Sequence, residues 1–298
     1  MKLARYSEER LVAEITRGLP LGENVRIGAG DDCAVIGAPR AARWTLLKAD
    51  AVVEGVHFLH DDNPRRVGWK ALCRAISDVA AMGGVPEHAL ITIAVSRNDE
   101  VARVKALYAG LRKAARKFGV SIVGGETSRS PGPLFINVAL TGSVERTRCI
   151  LRSGARPGDA IFVTGKLGGS RAGMHLDFTP RLAEARWLVQ HFRPSAMMDL
   201  SDGLAADLPR LARASRCSFT LHESRIPLTP GCTVPQALSD GEDFELLFTL
   251  APRDAAGVGA KWRRTFPKLP LTAIGTISQL STLNSPLPSH GHDHFADV

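Results

Sequence analysis

The chain has 298 residues, 44% of them hydrophobic, 23% charged, and a formal net charge of +8. That length and apolar content can bury a sizeable core and favour two domains over one; they exclude a disordered or fibrous class. The basic residues are scattered and not interleaved with aromatics, which argues against a nucleic-acid platform and suits an anionic small substrate. No run approaches the roughly 18 apolar residues that cross a bilayer. The opening "MKLARYSEERLVAEITRGLP" lacks the apolar core of a signal peptide, so a cytoplasmic protein without a membrane partner is expected. The five cysteines (33, 73, 149, 217, 232) form no C-x-x-C pair and read as reduced, mostly buried thiols.

In chain order, Ser7 is a candidate N-cap for a helix whose apolar face is Leu11, Val12, Ile15 and Leu19. Strand-like "WTLLKAD" precedes "VGWKALCRAISDVAAMG", a helix pattern with Leu72, Ala75, Ile76 and Val79 at helical spacing. "ALITIAVS", the helix-like "EVARVKALYAGLRKAARKFG", "VSIVGGE" and "LFINVALTGSV" follow. "ALITIAVS" and "LFINVALTGSV" are apolar enough to be buried on both faces. The texture changes across "GSVERTRCILRSGARPGDAIFVTG", where a Pro-Gly-Asp turn opens a new strand, so a boundary near residue 147 is expected, with domains 1–147 and 148–298. The second part carries "SDGLAADLPRLARAS", "EDFELLFTL" and "LTAIGTI", and ends in a polar tail, "STLNSPLPSHGHDHFADV". The pattern is α/β, or α+β.

Six segments set carboxylates beside glycine or apolar residues: "GAGDDCAVI" (Asp31, Asp32), "LLKADAVVEGVHF" (Asp50, Glu54), "AISDVAAMG" (Asp78), "IVGGETS" (Glu126), "MMDLSDGL" (Asp199, Asp202) and "SDGEDFELLF" (Asp240, Glu242, Asp243, Glu245). Buried carboxylates repel one another or take up protons unless cations neutralise them. Apart from Lys48, no basic residue adjoins these acids in the sequence, so divalent metal is the expected counter-charge, and all-oxygen ligation suits Mg²⁺. "GGE", "GKLGGSRAG" and "SDG" would let backbone N–H groups approach an anion, the last two at what look like helix starts. No G-x-x-x-x-G-K-[ST] is present, which excludes a P-loop enzyme. Competing readings make Asp202 an N-cap, Asp78 the polar flank of an amphipathic helix and His57 a structural histidine.

Taken in order, "GAGDDCAVI", "ADAVVEGVHF", "SDVAAMGGVP", "GGETS", "LRSGARPGD", "MMDLSDGLAADL", "GEDFELLFT" and "GHDHF" resemble the motifs of the thiamine-monophosphate kinase family, from about residue 27 to 295. That family lies in the superfamily of aminoimidazole ribotide synthetase and selenophosphate synthetase. The resemblance implies ATP- and Mg²⁺-dependent phosphorylation of thiamine phosphate to thiamine diphosphate, with several Mg²⁺ ions per site. It also implies two α/β domains, the first pairing its sheet across a homodimer and the second covering the nucleotide. Carried over by position, Asp32, Asp50, Asp78, Glu126, Asp199 and Asp202 are metal ligands, and Asp50, Asp78 and Asp202 also act in catalysis. Gly125, Glu126, Arg152 and Ser201 contact ATP; His57, Glu242 and His292 contact the acceptor. Three departures stand out: Lys48 and Ala49 replace hydroxyl residues before Asp50, Glu126 replaces Asp, and His292 replaces an aromatic. A non-catalytic, nucleotide-binding descendant with an altered metal shell is the competing reading.

Overall fold

The computed structural model describes Leu3 and residues 6–280; His292 and the rest of the polar tail lie outside them. Two mixed layers of helix and sheet follow one another along the chain.

The first sheet contains β1 (Val25–Ile27), β2 (Ala34–Ile36), β3 (Arg43–Val53), β4 (Val85–Val95), β5 (Ser121–Arg129) and β6 (Phe135–Glu145), in the order β1-β2-β3-β6-β4-β5. All neighbours are antiparallel except β4 and β5, which run parallel across the crossover helix α3 (Val101–Phe118). Helices α2 (Pro64–Ala81) and α3 share one core with the strands. Within the single chain, the strands of this sheet bury one face. β6 alternates buried and half-buried residues along its whole length, as expected where helices cover a single side of an antiparallel sheet. Edge strand β5 is exposed at nearly every position.

Helix α2 starts earlier than its apolar pattern suggests, because Asn63 Oδ1 accepts the Arg65 N–H at 2.9 Å and Pro64 occupies the first turn. It crosses α3 at two glycines. A Cβ on Gly68 would lie 2.0 Å from the Leu107 carbonyl oxygen, and one on Gly110 would lie 1.9 Å from that of Arg65. Gly110→Ala should therefore force the helices apart and lower stability by about 2–3 kcal/mol, read as a fall in the urea midpoint. An unchanged midpoint would show that the crossing is not close-packed.

N-terminal helix α1 (Glu8–Ile15) has the expected Ser7 cap, but it ends before Leu19 and buries no residue. Its apolar face packs into none of the three hydrophobic clusters among the described residues, and Val12 and Ile15 remain exposed.

The second sheet contains β7 (Ala160–Thr164), β8 (Ala196–Asp199), β9 (Ser218–Leu221), β10 (Leu246–Leu250) and β11 (Leu271–Ser278), ordered β8-β10-β7-β11-β9 and antiparallel throughout. Helices α5 (Leu204–Ala214) and α6 (Val234–Ser239) pack on one face; α4 (Leu182–His191) and α7 (Pro252–Thr265) pack on the other. With both faces covered, β10 is buried at every position, and for that reason "LLFTL" is continuously apolar. Ala80 and Ala81 of α2 pack into the core that holds α4 and β10, so α2 is shared by the two layers. No helix among the described residues is long and apolar enough to cross a membrane.

Candidate active site

Three carboxylates from distant segments meet at the end of α2. Asp32 lies in the turn between β1 and β2, Asp78 in the last turn of α2, and Asp199 at the end of β8; each offers an oxygen within 4.8 Å of the others. All three are buried. Asp32 Oδ1 accepts from Arg152 Nε at 3.0 Å and Nη2 at 2.5 Å, whereas its Oδ2 is buried without a hydrogen-bond partner. Asp78 Oδ1 accepts from Lys48 Nζ at 2.8 Å. Asp199 is pushed up to about 6, first by burial and then by Asp32, with the Ser77 hydroxyl opposing. Burial also raises Asp78 well above the ordinary carboxylate value, against the pull of the Lys48 ammonium. Neighbouring Asp31, half-buried beside Asp32, is pushed up to about 7 by desolvation and by Asp32, and accepts the Arg152 N–H.

Tertiary structure corrects the expectation that these acids lack basic partners. Arg74 Nη2 lies 3.3 Å from Asp50 Oδ1, Arg210 pairs with Asp202, and Lys70 Nζ lies 2.7 Å from Glu242 Oε1. Lys70, Arg74 and Asp78 are spaced i, i+4, i+8, which places them along one stripe of α2. The sequence signal was present: a lysine and an arginine one turn apart inside an apolar helix need anionic partners. Asp78 is buried and is no solvated flank.

Asp207 was missed altogether. Fully buried in α5, it accepts the backbone N–H groups of Ser201 and Asp202, each at 3.0 Å, and the Arg210 guanidinium at 2.9 Å. Burial pushes it up to about 8, and Asp202 adds to the shift. Asp207 therefore shapes the "SDG" turn, whereas Asp202 is not an N-cap: Gly203 precedes α5 and the helix has no side-chain cap. Ser201 contributes its carbonyl oxygen, which accepts the Glu242 N–H at 2.7 Å.

The acids of "SDGEDFELLF" divide their tasks. Glu242, held at φ 52°, turns toward Lys70, which also donates to the His57 carbonyl at 2.5 Å. Asp243 and Asp240 accept the N–H groups of Gly168 (2.8 Å) and Gly169 (2.9 Å). The glycine-rich segment they tie down does not open an α-helix; it forms two short 3-10 turns, with Gly169 and Gly173 at positive φ. Glu245 is buried against the Arg181 guanidinium and the Thr164 hydroxyl, the latter at 2.6 Å. A cavity of about 360 Å³ opens here, lined by Arg66, Lys166, Phe178, Glu242, Asp243 and Glu245 among others. The imidazole of His57 accepts the Val53 N–H at Nδ1, 3.1 Å away, which leaves the proton of the neutral ring on Nε2.

Gly125 and Glu126 lie apart from the three-carboxylate group, on β5. A Cβ at Gly125 would sit 1.8 Å from the Ile91 carbonyl oxygen, so glycine is required there for β5 to pair with β4. Glu126 faces Thr92 across the pair and is exposed.

Two stacked α/β layers with buried aspartates at their junction define a class: residues 30–144 match the family described as AIR synthase related protein, N-terminal domain. Thiamine-monophosphate kinase of Rhodopirellula baltica is 36% identical over 280 residues, covering 88% of this chain and 85% of that protein. The Bacillus subtilis protein of the same name is 33% identical over 300 residues, covering 90% of each. A solved structure described as AaThiL complexed with AMPPCP and TMP superposes with a TM-score of 0.84 at 32% identity, covering 99% of each chain. The chain belongs to the thiamine-monophosphate kinase family.

Proposed function

We propose that the chain transfers the γ-phosphoryl group of ATP directly to thiamine phosphate, yielding thiamine diphosphate. The observation that carries this reading is the Asp32, Asp78 and Asp199 cluster, joined by the Lys70 to Asp78 stripe of α2 to the cavity bordered by Glu242, in a chain of this family. The donor set fits magnesium: it is all oxygen, and Asp32 Oδ2 is a buried acceptor without a donor. Bound there, the cation would draw charge from the phosphoryl oxygens. Asp50, Glu126 and Asp202 complete the ligand set in our proposal.

The acceptor is already a phosphate oxygen, so no strong general base is needed, and the protein's task is positioning and charge neutralisation. Arg152, Ser201, Gly125 and Glu126 are assigned to the nucleotide. His57 and Glu242 are assigned to the acceptor, with His292 closing over it from the tail. Lys70, which touches both the His57 carbonyl and the Glu242 carboxylate, keeps those two in register. We assign residues 1–147 and 148–298 to two domains and the chain to a cytoplasmic homodimer. Support for the dimer comes from exposed β5 and from the half-open sheet face that carries Leu47 and Leu90. The retained carboxylates give a non-catalytic descendant no support.

Purified protein should form thiamine diphosphate only when ATP, a divalent cation and thiamine phosphate are all present. Thiamine itself should be a poor acceptor, since it lacks the phosphate that the site would hold. Equal turnover of thiamine and thiamine phosphate would sink the assignment.

A further inference from the structure

Strand β3 aims two side chains at the carboxylate cluster. Residues 48 and 50 lie two apart and therefore share a face; Lys48 reaches Asp78 and Asp50 reaches Arg74. Four carboxylates (Asp32, Asp50, Asp78, Asp199) thus meet three cations: Arg152 on Asp32, Lys48 on Asp78, and Arg74 on Asp50 and, at 3.9 Å, also on Glu242. Only Asp199 makes no ion pair among the described residues; its support is the Ser77 hydroxyl. The formal charge of these four acids and three cations is −1, and Asp31 beside Asp32 stands outside that count.

We propose that Lys48 is a resident cation that occupies the place of one divalent ion, so that the cluster takes a single divalent cation of its own before nucleotide arrives. The position left for that cation is marked by Asp199 and by the partnerless Oδ2 of Asp32. One divalent cation brings the group to +1. A second would bring it to +3 and would have to share Asp78 with an ammonium 2.8 Å away. Asp32 is also ion-paired, but Arg152 holds its Oδ1 and leaves Oδ2 buried without a partner, whereas no such orphaned oxygen is found on Asp78 beside Lys48. Further divalent ions would enter with the polyphosphate, which brings its own negative charge. The inference rests on reading the cluster as the metal site, but not on the identity of the acceptor.

Manganese counting on the full chain, without nucleotide, tests it. Equilibrium dialysis or the Mn²⁺ spin signal should show one tight ion per chain, competed by Mg²⁺ and lost in Asp199→Asn. Lys48→Thr, which trades the ammonium for a hydroxyl on the same face, should bind a second ion, or bind the first at least tenfold more tightly. It should also melt lower than the parent in EDTA and gain more from added Mg²⁺. Lys48→Arg should keep the parental count. A Lys48→Thr chain that folds only with Mg²⁺ present would also support the lysine as a substitute for metal. Two or more tight ions on the parent, or the same count and affinity in Lys48→Thr, would overturn the proposal. Loss of the thiamine phosphate activity with these counts intact would overturn the function and leave the role of Lys48 standing.

Discussion

Asp199→Asn should lower turnover of thiamine phosphate by about 10²–10³-fold, the scale of removing one preorganised electrostatic element from a phosphoryl-transfer site, while making the metal-free protein more stable. Both effects have one origin. Asp199, Asp32 and Asp78 place carboxylate oxygens within 4.8 Å of one another in a buried site, an arrangement that favours a bound cation and disfavours the empty state. The pH dependence has a definite sign. The Asp199 carboxyl rises from an ordinary 3.8 to about 6 on folding, so between those values the folded chain binds more protons than the unfolded one. The Asp199 contribution to metal-free stability therefore falls by roughly 3 kcal/mol as pH rises from about 4 to about 6, and Asp31, Asp78 and Asp207, raised in the same direction, carry the fall to higher pH. Urea unfolding in EDTA at pH 5 and pH 8 should show the fall in the parent and a smaller one in Asp199→Asn. Mg²⁺ should raise the parent's melting temperature more at pH 8 than at pH 5, because fewer protons have to be displaced. Parental turnover in Asp199→Asn would remove Asp199 from the site.

Glu245→Ala is expected to be the most damaging single change to stability outside the two cores. Glu245 accepts two hydrogen bonds from the Arg181 guanidinium and one from Thr164, which in turn accepts the Leu246 N–H at 2.8 Å. Truncation strands a mostly buried guanidinium at the cavity wall, and breaking a buried pair from one side costs about 3–5 kcal/mol. With Arg181 21% exposed, the low end, about 3 kcal/mol, is expected. Pairing Glu245→Ala with Arg181→Met should recover much of that loss, because the stranded charge is then gone too. Urea midpoints of the parent, both single variants and the double variant check this. A Glu245→Ala midpoint equal to the parent's would show that the pair contributes nothing.

The order of strands and helices was legible in the sequence wherever periodicity was strong. The α2 and α3 patterns, the β3 to β6 strands, the apolar β10 and β11 and the Ser7 cap all lie where local chemistry placed them. So were the acids that matter, since carboxylates flanked by glycine or apolar residues are costly to bury without purpose. What the sequence left open was anything that depends on what lies opposite a residue. "LFINVALTGSV" looks two-sided on its own; within one chain helices cover one face of its sheet, and the other is the face proposed for the dimer. Gly125, assigned to the nucleotide, also answers a steric demand that only the packing reveals, the Ile91 carbonyl of the neighbouring strand.

By itself, then, the sequence determined the local elements, the family and the identity of the acidic residues, since period, capping and motif are properties of neighbours along the chain. Only the tertiary structure decided how those acids are neutralised. Arg152 finds Asp32 across 120 positions, Lys70 finds Glu242 across 172 and Arg181 finds Glu245 across 64. Asp207, an unremarked helix residue, became the organiser of the "SDG" turn through hydrogen bonds to Ser201 and Asp202. Ion pairs depend on distance through space, and the packing of two sheets around α2 sets those distances; spacing in sequence carries no record of them.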